Sequence, residues 1–267
     1  MDHWGMQMRA TKLAMRLREY DWMAAVIELV IVVAGILIAL QVSNWNQGRL
    51  DDARADGYYR RLHDELVADG HNIDTTLVFW GRVAGYGQAA IANGETGQLV
   101  DGSNWKTVLA WYQASQLMPF QLRDTTYAEM RDGGGLALID KESLRKQLDN
   151  YYKLSGTGIT ANILRHDPAY RGQIRGLTPW HVQQYIWTNC FRQSKGGNAS
   201  DQELIDCAAP ISEEEAATIL ESYRHSETLL QNLRSWMSTL SVSTIVLVGT
   251  HNDTNDLAAE AQAARAH

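Results

Sequence analysis

From Met23 to Val42 the chain reads MAAVIELVIVVAGILIALQV, about twenty residues that are apolar apart from Glu28 and Gln41. At about 1.5 Å of rise per residue, a helix of that length crosses a hydrocarbon core about 30 Å thick. Trp22, with Tyr20 close by, stands at one end and Trp45 at the other, where amphipathic rings settle in the two headgroup zones. The pattern predicts one transmembrane helix over 23–43, with Trp22 and Trp45 as its membrane-interface anchors. A buried helix of a soluble protein would rarely keep so long a run without a polar face. Arg9, Lys12, Arg16 and Arg18 precede the run as they would in a signal peptide. The apolar core is longer than such peptides use, however, and IALQVSNWN lacks a small-x-small cleavage site. An uncleaved anchor is the expectation.

Past the run, Ala55, Tyr59, Leu62, Leu66, Ile73, Leu77 and Trp80 recur at steps of three and four, with Asp69 and Gly70 interrupting. This predicts an amphipathic helix continuous with the span. A matching stripe lies far downstream. Pro210 and Ser212 with Glu215 form a helix start with a capping box, after which Ile219, Leu220, Tyr223, Leu230, Leu233, Trp236, Met237 and Leu240 follow one face. Two long amphipathic helices at opposite ends of a domain predict an antiparallel bundle. TVLAWYQASQLM and KESLRKQLDNYYKLSG read as further helices between them. RDGGGLALID is a hinge between Thr126 and Glu129, a second possible capping box, and Asp140, an expected N-cap. The GGG at 133–135 follows no strand and precedes no Lys-Ser/Thr, so it reads as helix termination and not as a phosphate loop. The apolar run MSTLSVSTIVLVG over 237–249 is too short for a second span, and is expected on the bundle or at the membrane surface. The tail HNDTNDLAAEAQAARAH is expected as a frayed helix or a disordered segment.

The predicted class is therefore all-α, with an N-terminal amphipathic segment, one transmembrane helix and an extracytoplasmic antiparallel helical bundle. The expected divisions are a cytoplasmic segment over 1–22, the span over 23–43, a periplasmic helical domain over 44–249 and a polar C-terminal tail over 250–267. Within the first segment Met6 or Met8, Leu13, Leu17 and Tyr20 fall near one side. That suits either a surface-lying amphipathic helix or a helical extension contacting a partner.

Composition narrows the function. With 267 residues there is room for one large domain plus an anchor. Only 4 prolines agree with a helical chain, and a net charge of −7 argues against nucleic acid as a partner, because phosphate binding needs a basic stripe. Charge decides orientation weakly, since Arg49, Arg54, Arg60 and Arg61 follow the span as other basic residues precede it. The two cysteines decide more. Cys190 and Cys207 bound NCFRQSKGGNASDQELIDC, a polar loop, and two cysteines closing a short loop after an anchor predict a disulfide in an oxidising compartment. The N-terminus is then cytoplasmic and the body of the chain periplasmic, in a bacterial inner membrane.

Inside the span, Glu28, Gly35, Ala39 and Asn46 share a narrow sector at about 100° per residue, and Gly35 with Ala39 makes a small-xxx-small pair that admits a second helix. A carboxylate inside a bilayer costs a few kcal/mol unless it meets a partner, a cavity or the interface. This face is the candidate docking surface for a helix of another subunit or of a second copy, with Glu28 protonated or paired. Snorkelling of Glu28 to the near headgroups is the plainer alternative, and proton conduction a third. No pair among the eight histidines sits in a zinc frame. His63 and His71, on the first ectodomain helix, read as solvated surface. The stretch RHDPAYRGQIRGLTPWHVQQYIW over 165–187 is the best candidate for a small-ligand or partner surface. No nucleophile and base pair, cofactor loop or metal spacing emerges, so neither an enzyme nor a cofactor is expected.

The stretch IELVIVVAGILIALQVSNWN resembles GEIxLVVxGILIALxINNWN, the opening of a bacterial family of single-span membrane proteins with a helical ectodomain and no assigned activity. TTYAEMRDGGGLALIDKESLRKQLDNYY resembles that family's second pattern: an aromatic, then S-G-x-L-x-L-I, then a Leu-Arg helix ending in Tyr. The matching positions are Glu28, Gly35, Ala39, Asn44, Trp45, Asn46, Tyr127, Gly134 or Gly135, Leu136, Leu138, Ile139, Leu144, Arg145 and Tyr152. Ser43 stands where many relatives carry Asn, and Arg-Asp-Gly precedes Gly134 where they carry a shorter turn. The resemblance implies a membrane protein and supplies no chemistry.

Two functions fit. One is an accessory or structural subunit of a larger inner-membrane complex, docked through its span on other transmembrane helices and in contact with membrane lipid. The other is a periplasmic ligand-sensing bundle working as a homo-oligomer. The short segment before the span leaves no room for an output domain on that side, which favours the first.

Overall fold

A computed structural model describes residues 4–118, 120, 122–155, 167–193 and 202–265, with residues 4–21, 154–155 and 193 described by backbone alone. The expected amphipathic face before Trp22 and the middle of the polar loop between the cysteines lie outside the described side chains. The described chain is mostly helical. Helix α1 spans Trp4–Thr96, and the chain forms two compact units, Met1–Ala55 and Asp56–His267.

In the first unit every residue from Trp22 to Leu50 is exposed. The second unit has its own core, organised on two antiparallel helices: α1 from Asp56 onward, and α8, Leu229–Ala264. Tyr59, Leu66, Ile73, Trp80 and Gly87 of α1 are buried in one seven-residue series; Leu62, Asp69, Thr76, Val83 and Ala90 form the other. On α8 the corresponding series are Leu229, Trp236, Ser243, Thr250, Leu257 and Leu233, Leu240, Leu247, Thr254, Ala261. A seven-residue apolar repeat keeps one seam of each helix facing its partner. The pairing is held along its length. The Arg234 guanidinium meets Glu95 near one end, His251 Nε2 lies 3.2 Å from Asp74, and Arg265 Nε lies 3.2 Å from Asp56 at the other end. At Gly87 a β-carbon would stand 2.0 Å from the Met237 sulfur, so glycine lets α8 approach there.

The seam differs from the stripe read in the sequence in an instructive way. Asp69 does not interrupt it but occupies one of its positions, fully buried. Past Leu240 the seam continues through Ser243, Thr250 and Thr254, small polar residues that hide it from an apolar count. For that reason the stretch from His251 onward, expected as a frayed helix or disordered, is instead the last part of α8 as far as Ala264, with Thr254, Leu257, Ala258 and Ala261 buried. The apolar run over 237–249 divides between faces: Leu240 and Leu247 enter the seam, whereas Val242, Ile245 and Val248 are exposed.

The single helix expected from Ser212 through Leu240 is broken into α7, Glu213–Arg224, and α8. Gln173 Nε2 donates to Ser226 Oγ and Thr228 Oγ1 at 2.9 and 2.7 Å, fixing the break. The cap at Ser212 forms as expected, its Oγ accepting the Glu215 N–H at 3.1 Å.

Between the long helices lie α2, Asn104–Gln113, α3, Thr125–Asp132, and α4, Glu142–Asn150, which widens into a π-turn over Tyr151–Ser155. Then come α5, Ala169–Leu177, and α6, Trp180–Asn189. Helix α2 is almost wholly buried, and its N-terminus is held from α7: the Glu213 carboxylate accepts from Ser103 Oγ at 2.7 Å and from the Asn104 N–H at 2.6 Å. Two three-residue strands, β1 (Phe191–Gln193) and β2 (Gln202–Leu204), pair antiparallel where a loop was expected. The disulfide Cys190–Cys207 closes this hairpin.

Candidate functional site: an uncovered apolar helix and a buried carboxylate

The most apolar 18-residue window of α1 has a mean hydropathy of 2.9, and none of it is buried. Leu29, Ile31 and Ile38 are each exposed to about two thirds. Removing an aliphatic side chain from water is worth about 2 kcal/mol, so the ten such residues between Leu29 and Val42 represent on the order of 20 kcal/mol left uncollected in water. Length and composition suffice for a bilayer crossing. Glu28, Gly35, Ala39 and Asn46 are all exposed, and a β-carbon at Gly35 would meet nothing within 4 Å. Trp22 and Trp45 are exposed at 69% and 64%, and the Arg49 guanidinium lies over the Trp45 ring at 5.2 Å.

The hinge motif assembles around an aromatic cluster. Tyr127 stacks on Tyr152 with ring centroids 4.5 Å apart, Tyr151 meets Tyr152 edge-on at 4.9 Å, and Tyr127 donates to Asp149 Oδ1 at 2.7 Å. Burial, followed by the Asp149 bond, pushes the Tyr127 hydroxyl up to about 12. Helix α3 terminates at Gly133, as the GGG implied. Gly134 adopts φ 75°, and a β-carbon on Gly135 would come within 2.8 Å of the Tyr58 ring. Leu136 is half-buried and Ile139 buried. The expected caps at the hinge are replaced. Asp124 and Lys141 hold the N-cap positions of α3 and α4 without side-chain bonds.

The capping of α3 comes instead from α1, which sequence reasoning missed. Glu65 accepts the Thr126 N–H with both oxygens at 3.2 Å and the Thr126 hydroxyl at 2.8 Å. One turn further, both oxygens of Asp69 receive the Arg123 N–H, at 3.2 and 3.1 Å. Burial pushes the Asp69 carboxyl up to about 7, with the Arg123 N–H opposing the rise. Near it, the Tyr151 hydroxyl and Thr254 Oγ1 share a hydrogen bond of 2.8 Å. Asp69's place in the three-and-four stripe was the available signal, since Leu62, Leu66 and Ile73 bracket it at helical steps.

The disulfide-closed hairpin is tied to α1 and α2. Arg82 Nη1 donates to Glu203 at 3.0 Å and to the Leu204 carbonyl at 2.6 Å, Trp105 Nε1 donates to the Cys207 carbonyl at 3.1 Å, and Gln113 Nε2 to the Cys190 carbonyl at 3.0 Å. An open cleft of about 610 Å³ lies beside Arg82, Tyr86, Glu203 and Asp206. Of the histidines read as surface, His63 is tied by its Nδ1 to the Ala258 carbonyl at 3.0 Å while His71 is exposed. Among the described residues no group of three or more His, Cys, Asp or Glu is placed to hold a metal ion. The chain matches no protein-family model, no curated protein and no solved structure.

Proposed function

We propose that this chain is a non-catalytic, single-pass membrane protein that serves as an accessory or structural subunit of a larger assembly in a bacterial inner membrane. The observation carrying this reading is the exposure of every residue over 22–50 of α1, while the second unit completes its own core without them. Lipid is the solvent in which such a surface is stable. The sector of Glu28, Gly35, Ala39 and Asn46 docks on another transmembrane helix, because close packing and polar bonding, more than further apolar burial, drive association within lipid. The Cys190–Cys207 bond supports placing the second unit in the oxidising periplasm and the N-terminus in the cytoplasm. The resemblance of IELVIVVAGILIALQVSNWN to the uncharacterised single-span family is in keeping with this.

The open cleft beside Arg82 favours a second reading, a ligand-sensing helical domain working as a homo-oligomer. Gentle detergent extraction followed by native mass spectrometry separates the two. A complex with other subunits, lost when Gly35→Leu or Glu28→Leu is introduced, is the expected result. A lone dimer whose melting temperature follows an added ligand would replace the subunit reading with the sensor, and unchanged co-purification of both variants would remove the docking face.

A further inference from the structure

Arg171 and Arg175 lie one turn apart on α5. The Arg171 side chain is 18% exposed and donates through Nη1 to the Ser115 carbonyl at 2.9 Å. Its Nε stands 3.6 Å from Asp167, whose own side chain is 77% exposed. The Arg175 guanidinium lies over the rings of Tyr112 and Trp187, at 5.8 and 5.3 Å, and makes one long bond to Gln116 Oε1 at 3.4 Å. The Nε atom of each arginine is buried without a hydrogen-bond partner. Among the described residues no carboxylate pairs with Arg175, and the adjoining stretch GTGITANILRH over 156–166 contains no acidic residue. Burial, and then the charge of Arg175, holds the Arg171 guanidinium below its ordinary value.

Two cations half-removed from water on one helical face, with a single exposed acid near Arg171 and none at Arg175 among the described residues, are costly as they stand. A guanidinium offers five N–H donors in its plane. When its faces rest on aromatic rings, its edges remain for a planar, bidentate acceptor. Trp187 is 39% exposed, so the aromatic backing of Arg175 reaches the surface. We propose that Arg171 and Arg175, backed by Tyr112 and Trp187, bind the carboxylate or phosphate group of a small soluble anion. The site lies in the second unit and does not depend on how the span is used.

The test uses the full-length protein in detergent. Inorganic phosphate and, separately, succinate are titrated against chloride at matched ionic strength, while thermal unfolding and tryptophan fluorescence are followed. A bound anion raises the melting temperature by mass action and perturbs Trp187. The expected result is a saturable rise with one of the two probes, identifying phosphate or carboxylate as the group bound. In Arg175→Gln the affinity falls at least about tenfold, whereas Arg224→Gln, which removes an exposed arginine paired within α7, leaves it unchanged. A response no greater than that to chloride, or an equal response in Arg175→Gln, overturns the proposal. If Arg175→Gln does not fold, Arg175→Lys keeps the charge and loses the planar edge; affinity equal to that of the unsubstituted protein then overturns it as well.

Discussion

The two units of this chain invert each other. From Trp22 to Leu50 apolar side chains face outward along the whole helix, while in the second unit the seam between α1 and α8 draws polar groups inward, among them Asp69, Thr76, Ser243, Thr250 and Thr254. The same physics accounts for both. An apolar surface seeks whatever solvent does not penalise it, and polar groups can be buried where each finds a bond. Thr76, Ser243, Thr250 and Thr254 give their hydroxyls to carbonyls one turn back on their own helices. Asp69 is satisfied from another element, by the Arg123 N–H. An outward apolar face therefore points to lipid or a partner, whereas an inward polar residue points to a structural bond and seldom announces itself in a hydropathy pattern.

The largest expected effect breaks the first half of this contrast. Val33→Arg with Leu37→Arg places two guanidiniums near the middle of the proposed span, at a cost of about 3 kcal/mol each on insertion scales. The double variant should move into the supernatant of an alkaline carbonate wash while the parent stays with the membrane; the parent washing out at full length would sink the membrane reading. The second unit should keep its helical circular dichroism in either case, because its core does not include those residues.

The next effect concerns the inward polar group. The Asp69 carboxyl is raised from 3.8 to about 7, so between those values the folded state holds a proton that the unfolded state releases. Stability then falls as pH rises from about 4 to about 7 and is flat above, by at most about 4 kcal/mol. Asp69→Asn keeps an acceptor for the Arg123 N–H and removes this dependence. Its melting temperature relative to the parent should be higher at pH 8 than at pH 4.5. Parallel pH profiles for the two proteins would show that Asp69 does not titrate in that window.

The smallest is the removal of the hairpin clamp. The Cys190–Cys207 bond closes a loop with a sequence separation of 17, worth about 3 kcal/mol on the chain-entropy account. The double serine variant should lower the melting temperature of the second unit and leave membrane retention unchanged. Mass spectrometry after alkylation with and without reductant tests the bond itself: full labelling without reductant would mean free thiols and would remove the support for a periplasmic location.

The long apolar helix over 23–43, the stripe over Tyr59, Leu62, Leu66, Ile73 and Trp80, the cap at Ser212 and the pairing of the cysteines were all legible in the sequence. Each rests on residues close in the chain or on a choice with one partner available. The π-turn after α4, the three-residue strands and the break at Ser226–Thr228 were not, since they are too short to carry a period and are held by contacts such as Gln173 with Ser226. Of the candidate sites, the outward face of Glu28, Gly35 and Ala39 follows from helix geometry alone. The Asp69 layer and the Arg171–Arg175 pair do not. The stretch over 165–187 already reads as a candidate ligand surface from its mix of Arg, Asp, His and Trp, but only the packing of α5 on α2 and α6 brings Tyr112 and Trp187 to the Arg175 guanidinium.

By itself, then, the sequence determined where the chain is oily, which faces of its long helices are apolar and which two sulfurs join, because hydrophobic transfer and helical period are summed over neighbours in the chain. Tertiary structure alone decided that Glu65 caps a helix begun some sixty residues later and that Asp69 takes the Arg123 N–H just before it, that α8 continues to Ala264, and that two arginines share one half-buried face. Burial and hydrogen bonding across distant segments set those outcomes, and no local pattern encodes which polar group will find its partner there.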